Sequence, residues 1–192
     1  MDGKGHIRLD MIADIIKPCI TPSIFESHIS GGQCRDVWVE ERNIQNNTII
    51  AEATPILGGF CFCRSWASNE IRECAVIDGD ILVTEEVASV LVKTDNGWDL
   101  AFADSHSYII RCKRHVDPYF IKAFMDSDMG KDALKSYIQI GKIDKTPIPI
   151  MYEEDVKLIS KCMHDIVHEK LTAGSRYDSE LRSIQNVFGK KE

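Results

Sequence analysis

Cys61 and Cys63 lie one residue apart in Phe60-Cys-Phe-Cys63, and with Cys34 and Cys74 they are the first residues whose types suit a metal. Structural zinc uses paired ligands two to four residues apart, and neither a second pair nor a His cluster accompanies them. On a strand the two thiols face opposite sides, so at most one points at a shared ion. Buried, reduced core cysteines are the expectation, because free Cys ranks among the most buried residue types. Asp104, Ser105 and His106 hold the groups of a nucleophilic triad. A triad is assembled from separate elements, however, and three neighbours in sequence read as a strand with a turn hydroxyl. Asp78, Asp80, Glu85 and Glu86 offer carboxylates to Mg²⁺. Strand alternation scatters them, and a solvated turn followed by a loop is the simpler reading. The sequence has no glycine-rich phosphate loop, no paired-glycine nucleotide fingerprint and no His-Glu-x-x-His. The Asn/Asp-Pro-Pro-aromatic segment of an amino-methyltransferase is also missing. The chain is expected to be no enzyme by itself, with no catalytic residue, metal or cofactor.

These residues belong to a chain of 192 amino acids, 44% hydrophobic and 28% charged, a globular balance that excludes wholesale disorder. One domain with an appendage fits that length, and about 70% of the extended-chain surface can leave water. Lys plus Arg number 23 against 30 Asp plus Glu, giving −7, so a general basic coat is excluded and any nucleic-acid contact must be local. No apolar run reaches the ~18 residues that span a bilayer, and the opening MDGKGHIRLD has no apolar centre. A cytoplasmic protein without membrane contact is expected. Seven cysteines at irregular spacing argue against a disulfide framework.

Several elements can be read along the chain. Leu9–Ile16 suits a short helix or a strand entry, and Val37–Val39 and Thr48–Ile50 have extended character. Ala75–Ile77 and Ile81–Thr84 read as two strands joined tightly through Asp78-Gly79-Asp80, followed by strands at 87–92 and Tyr108–Arg111. At Asp117-Pro118 the period changes to a helical one, with Asp117 as cap and Pro118 in the first turn. Pro147-Ile-Pro149-Ile150 predicts an extended linker. Beyond it Glu153, Glu154 and Asp155 suit a helix N-terminus. The apolar stripe Val156, Ile159, Met163, Ile166, Tyr177, Leu181, Ile184 and Phe188 then predicts a helix longer than one small core needs.

The order of these segments resembles a known family. Gly79-Asp-Ile-Leu-Val-Thr84, a later strand ending in a basic residue, and Val116-Asp-Pro-Tyr-Phe-Ile121 running on to Ser127 resemble the DNA target-recognition domain of type I restriction-modification specificity subunits. The same module ends some N6-adenine DNA methyltransferases. Gly130, the segment from Asp132 to Tyr137, and Pro147–Ile150 continue the pattern, while Ile7–Ile16 and Asp36–Ile44 resemble the family's opening and first core strand.

The resemblance implies an α+β fold: a mixed-sheet DNA-binding domain over residues 1–150, then a long coiled-coil-like helix over 151–192 for dimerisation or subunit docking. It implies a non-catalytic DNA sequence-recognition module that directs a methyltransferase and restriction complex to its target. Double-stranded DNA, a DNA methyltransferase subunit, a restriction subunit and a second recognition domain or homodimer mate are the implied partners. A half-subunit or an excised module fits one domain and one helix. Base reading needs forked or amide donors, and phosphate contact needs cations or hydroxyls. The candidates are Arg64, Ser65, Asn69 and Arg72 in a polar loop, Lys93 beside a turn, and Arg111, Lys113 and Arg114 in the densest basic spot of the chain. The stripe from Val156 to Phe188 would meet a partner helix. The alternative is an assembly adaptor with little intrinsic DNA binding, favoured by Glu85-Glu86 and the net charge.

Overall fold

The computed structural model describes residues 5–18, 29–31, 37–39, 44–45, 48–49, 60–62, 74–86, 89–92, 101–168 and 182–188. In chain order these form β1 (His6–Arg8), α1 (Leu9–Ile12), β2 (Ala13–Ile16), β3 (Ile29–Gly31), β4 (Val37–Val39), β5 (Ile44–Gln45), β6 (Thr48–Ile49) and β7 (Phe60–Phe62). There follow β8 (Ala75–Val76), β9 (Ile81–Thr84), β10 (Ser89–Leu91), β11 (Ala101–Ala103) and β12 (Ser107–Cys112). The last part holds α2 (Pro118–Asp126), α3 (Asp128–Gln139), a 3-10 turn (Ile143–Lys145), β13 (Pro147–Pro149) and α4 (Glu153–His168), with residues 182–188 helical again. The expected α+β class is the observed one. Among the described residues no helix is long and apolar enough to cross a membrane.

The chain divides into two compact units, Ile15–Arg111 on the one hand and Met1–Asp14 with Cys112–Glu192 on the other. The expected boundary after residue 150 thus falls inside the second unit. In the first unit β9 lies between β10 and β12 in a sheet ordered β10-β9-β12-β2, and all four residues of β9 are buried. Ile81-Leu-Val-Thr84 is continuous rather than alternating because both of its faces are covered. Val39, Val76, Leu82, Val90, Val92, Ala103 and Ile109 close one core, with Ile16 packed at its side. β8 and β9 are joined tightly, as expected, but do not pair. β8 runs antiparallel to β11, which also lies parallel to β4. Asp80 N donates to Ile77 O (3.1 Å) across this corner, and Gly79 supplies its positive φ of 85°.

In the second unit α2 begins where Asp117 accepts a hydrogen bond from Tyr119 N, with Pro118 in the first turn. The Ser127 hydroxyl donates to Phe124 O (2.6 Å) at the end of α2 and accepts from Gly130 N (3.1 Å) at the start of α3. Gly130 is needed there, since a Cβ would fall 1.8 Å from Phe124 O. Gly141, at φ 66°, ends α3 with Gly141 N bonded to Ile138 O and Lys142 N to Tyr137 O. Pro147–Pro149 is a strand rather than the expected linker, paired antiparallel with β1. Ile150 N donates to Gly5 O (2.9 Å). Ile148 shares that side of the strand, so the missing donors of Pro147 and Pro149 point away from β1.

The terminal stripe turns inward. α2 and α4 pack against each other, and Ile159, Met163, Ile166 and Ile184 are buried. The Phe188 ring meets Phe120 and Phe124 at 6.0 and 5.6 Å. Val156 is half-buried, and Tyr177 and Leu181 lie outside the described residues. The stripe was assigned to a partner helix, but Ile159, Met163, Ile166 and Ile184 are buried within this chain. An apolar face buries itself on the nearest matching face, and α2 offers Phe120, Ile121, Phe124 and Met125.

Candidate nucleic-acid interface

The end of β12 and the turn that follows it carry the described part of the expected DNA-contacting set. Arg111 is the penultimate residue of that strand. The register Ile110↔Ile81 brings it beside the Ile77–Asp80 corner. Its Nε donates to Asp80 Oδ1 at 2.9 Å and its Nη2 to Asp80 Oδ2 at 2.7 Å, a bidentate pair, while Nη2 also reaches Ala75 O at 3.1 Å. Asp80 Oδ2 accepts from Ile77 N as well, at 2.9 Å, and only 2% of this side chain is exposed. The pair therefore pins the corner before β9 to the end of β12. Arg111 is a cation spent inside the fold, and its donors serve the corner rather than a ligand.

Lys113 is likewise engaged. Its Nζ donates to Asp10 O (3.2 Å) and Met11 O (3.0 Å), tying the turn after β12 to α1. Arg114 differs. Val116 N donates to Lys113 O (2.8 Å), which closes a β-turn with Arg114 and His115 at its two central positions, both exposed. Of the three neighbouring cations the fold presents one, at a turn tip, with His115 beside it. Sequence reasoning did not name His115, although a basic residue and a histidine at the centre of a turn before Asp117-Pro118 were a readable signal. Arg64, Ser65, Asn69, Arg72 and Lys93 lie outside the described residues.

The residues that hinted at other chemistry resolve into turns and pairs. Asp104 Oδ1 accepts from His106 N (3.0 Å) and Ser107 Oγ (3.1 Å), so the acid closes a local turn. Glu85 pairs with Lys17 at 3.0 Å, and Lys17 Nζ also stands 4.0 Å from the centre of the Tyr108 ring. Glu86 and Asp78 are exposed. Among the described residues no three His, Cys, Asp or Glu side chains group to hold a metal ion. Cys74 is buried, and Cys112 and Cys162 are half-buried. Cys61 lies on β7, and Cys34 and Cys63 are outside the described residues.

Two further clusters sit in the second unit. Asp10 meets Arg8 at 3.0 Å and Lys145 at 2.6 Å, and the Lys145 hydrogen bond above all holds its carboxyl below the usual range. On α2, Lys122 is wholly buried and bonds Asp126 one turn on; burial pushes its ammonium below the ordinary lysine range.

No family model and no curated protein matches this sequence. Solved structures do match in fold. The HsdS subunit from Thermoanaerobacter tengcongensis superposes with a TM-score of 0.58 at 13% identity, over 97% of this chain and 44% of that one. A chain solved in work on complex assembly and conformational transition of the type I R-M system gives 0.58 at 12% identity, over 97% and 45%. The type IIG restriction endonuclease BpuSI gives 0.53 at 6% identity, over 94% and 30%. This chain thus shares the HsdS fold along nearly its whole length and spans less than half of each chain it matches.

Proposed function

We propose that this chain is a DNA sequence-recognition module of a type I-like restriction-modification system, non-catalytic in itself. The observation that carries the reading is the likeness to an HsdS subunit over 97% of the chain. The ordered motifs Gly79-Asp80-Ile81-Leu82 and Asp117-Pro118 through Ser127 and Gly130 support it, each having a defined structural task. Arg114 at the turn tip is the described side chain best placed to meet a duplex, and Arg64, Ser65, Asn69, Arg72 and Lys93 supply the remaining contacts. A methyltransferase subunit provides cofactor and catalysis. Selection from a random duplex pool, with the chain alone and with a type I methyltransferase subunit, should enrich one short motif. A pool left unchanged in both settings overturns the proposal.

An assembly adaptor with little DNA contact of its own is the second reading. The charge of residues 15–111 favours it, with 7 basic against 14 acidic residues. Arg114→Glu separates the two, because a reader loses DNA affinity and an adaptor keeps full function in its complex. Reversing Arg111 or Lys113 cannot serve this purpose, as both are bonded within the fold.

A further inference from the structure

We infer that α3 carries a second, sequence-independent duplex contact, in which Lys131 and Lys135, continued by Lys142, track one phosphate backbone. This rests on the DNA-recognition reading and adds a surface that its motifs do not name. Charge divides unevenly between the two units. Residues 15–111 carry −7, whereas the other unit, with 16 basic and 16 acidic residues, is neutral. A polyanion therefore meets less repulsion at the second unit.

Five of the eleven lysines and arginines described there are already engaged, while Arg114, Lys161 and Arg182 are exposed singly on other elements. Arg8 and Lys145 are closed on Asp10, Lys113 on carbonyl oxygens, Lys122 on Asp126 and Lys157 on Glu153. Lys131, Lys135 and Lys142 are exposed, and among the described residues none of them forms an ion pair. The first two stand four residues apart, on one face of α3, about 6 Å along its axis. Lys142 follows directly after the Gly141 stop. Asp128 and Asp132 each precede a lysine by three residues without pairing to it, and Asp128 accepts instead from Gln185 Nε2 at 3.3 Å. Two like charges one turn apart weaken a helix by themselves, and a row of phosphates supplies the missing counter-charge. Lys157 and Lys161 on α4 have the same spacing, but Glu153, Glu154, Asp155 and Asp165 share that helix.

That matched pair makes the test. The affinity of the full chain for a random-sequence duplex is measured from about 50 to 300 mM salt, and each phosphate contact adds about 0.9 to the slope of log K against log salt. Replacing both α3 lysines, Lys131→Ala with Lys135→Ala, should lower that slope by about 1.8 and weaken binding about 60-fold at about 0.1 M salt. Lys157→Ala with Lys161→Ala, equal in net charge, should change neither. An equal loss in both double variants, an unchanged slope in the first, or a wild type that binds no random duplex overturns the inference. Sequence preference is read separately. A protein that still prefers its selected site but keeps its slope without the α3 lysines refutes this contact alone. One that binds random duplex through them yet selects no sequence refutes only the recognition reading.

Discussion

Asp80 and Arg111 show how a short motif can be legible while its purpose is not. The acid in Gly-Asp-Ile-Leu and the base at the end of a later strand were both visible in sequence, 31 residues apart. That they pair depends on the β9–β12 register, which spacing does not contain. Removing Asp80 takes its acceptor from Ile77 N and its carboxylate from the part-buried Arg111 guanidinium, so Asp80→Ala should cost about 2 kcal/mol in denaturant unfolding. A loss below about 1 kcal/mol would deny the corner its clamp. Lys122 and Asp126 form the other internal pair, on one helix. Either single replacement, Lys122→Met or Asp126→Leu, should be clearly destabilising, whereas the two together should be near neutral. The pH dependence carries a definite sign. Burial holds the Lys122 pKa below that of an ordinary lysine, so between the folded and unfolded pKa values the unfolded chain holds more protons. Wild-type stability should therefore rise with pH through that window relative to the double variant.

At the scale of elements, the junction of α2 and α3 is the most sharply specified feature. Asp117 and Pro118 were readable because a cap and a first turn are local chemistry, and both are found at their task, whereas Ser127 and Gly130 entered only through the family resemblance. What sequence did not reveal is why Gly130 must be glycine. The reason is contact with Phe124 O, a backbone atom that cannot move aside cheaply. Gly130→Ala should cost about 3 kcal/mol, and Ser127→Ala about 2 kcal/mol through the lost cap, both measured by thermal or denaturant unfolding. The terminal stripe teaches the opposite lesson. Its period matches the burial of Ile159, Met163, Ile166 and Ile184, yet periodicity names a buried face without naming what covers it. Met163→Ala should cost about 3 kcal/mol of folding stability and leave the sedimentation coefficient of the folded protein unchanged. Dissociation of an oligomer without loss of fold would return the stripe to a partner helix.

For the whole molecule, the α+β class and the order of segments were legible, because apolar runs and turn residues mark elements one by one. The division into units was not. β1 and β13 pair across the chain, so the boundary at residue 150 that the resemblance implies falls inside one unit. Net charge behaved similarly: −7 for the chain conceals a neutral unit beside an acidic one. Of the basic cluster Arg111, Lys113 and Arg114, only Arg114 is exposed. The claim that joins these scales is that the fold presents loops to read a duplex. It is tested most directly by comparing affinities for the pool-selected duplex and for a scrambled duplex of equal length at about 0.15 M salt. A specific reader should prefer the selected site by about 1,000-fold or more, whereas equal affinity for the two would contradict the account.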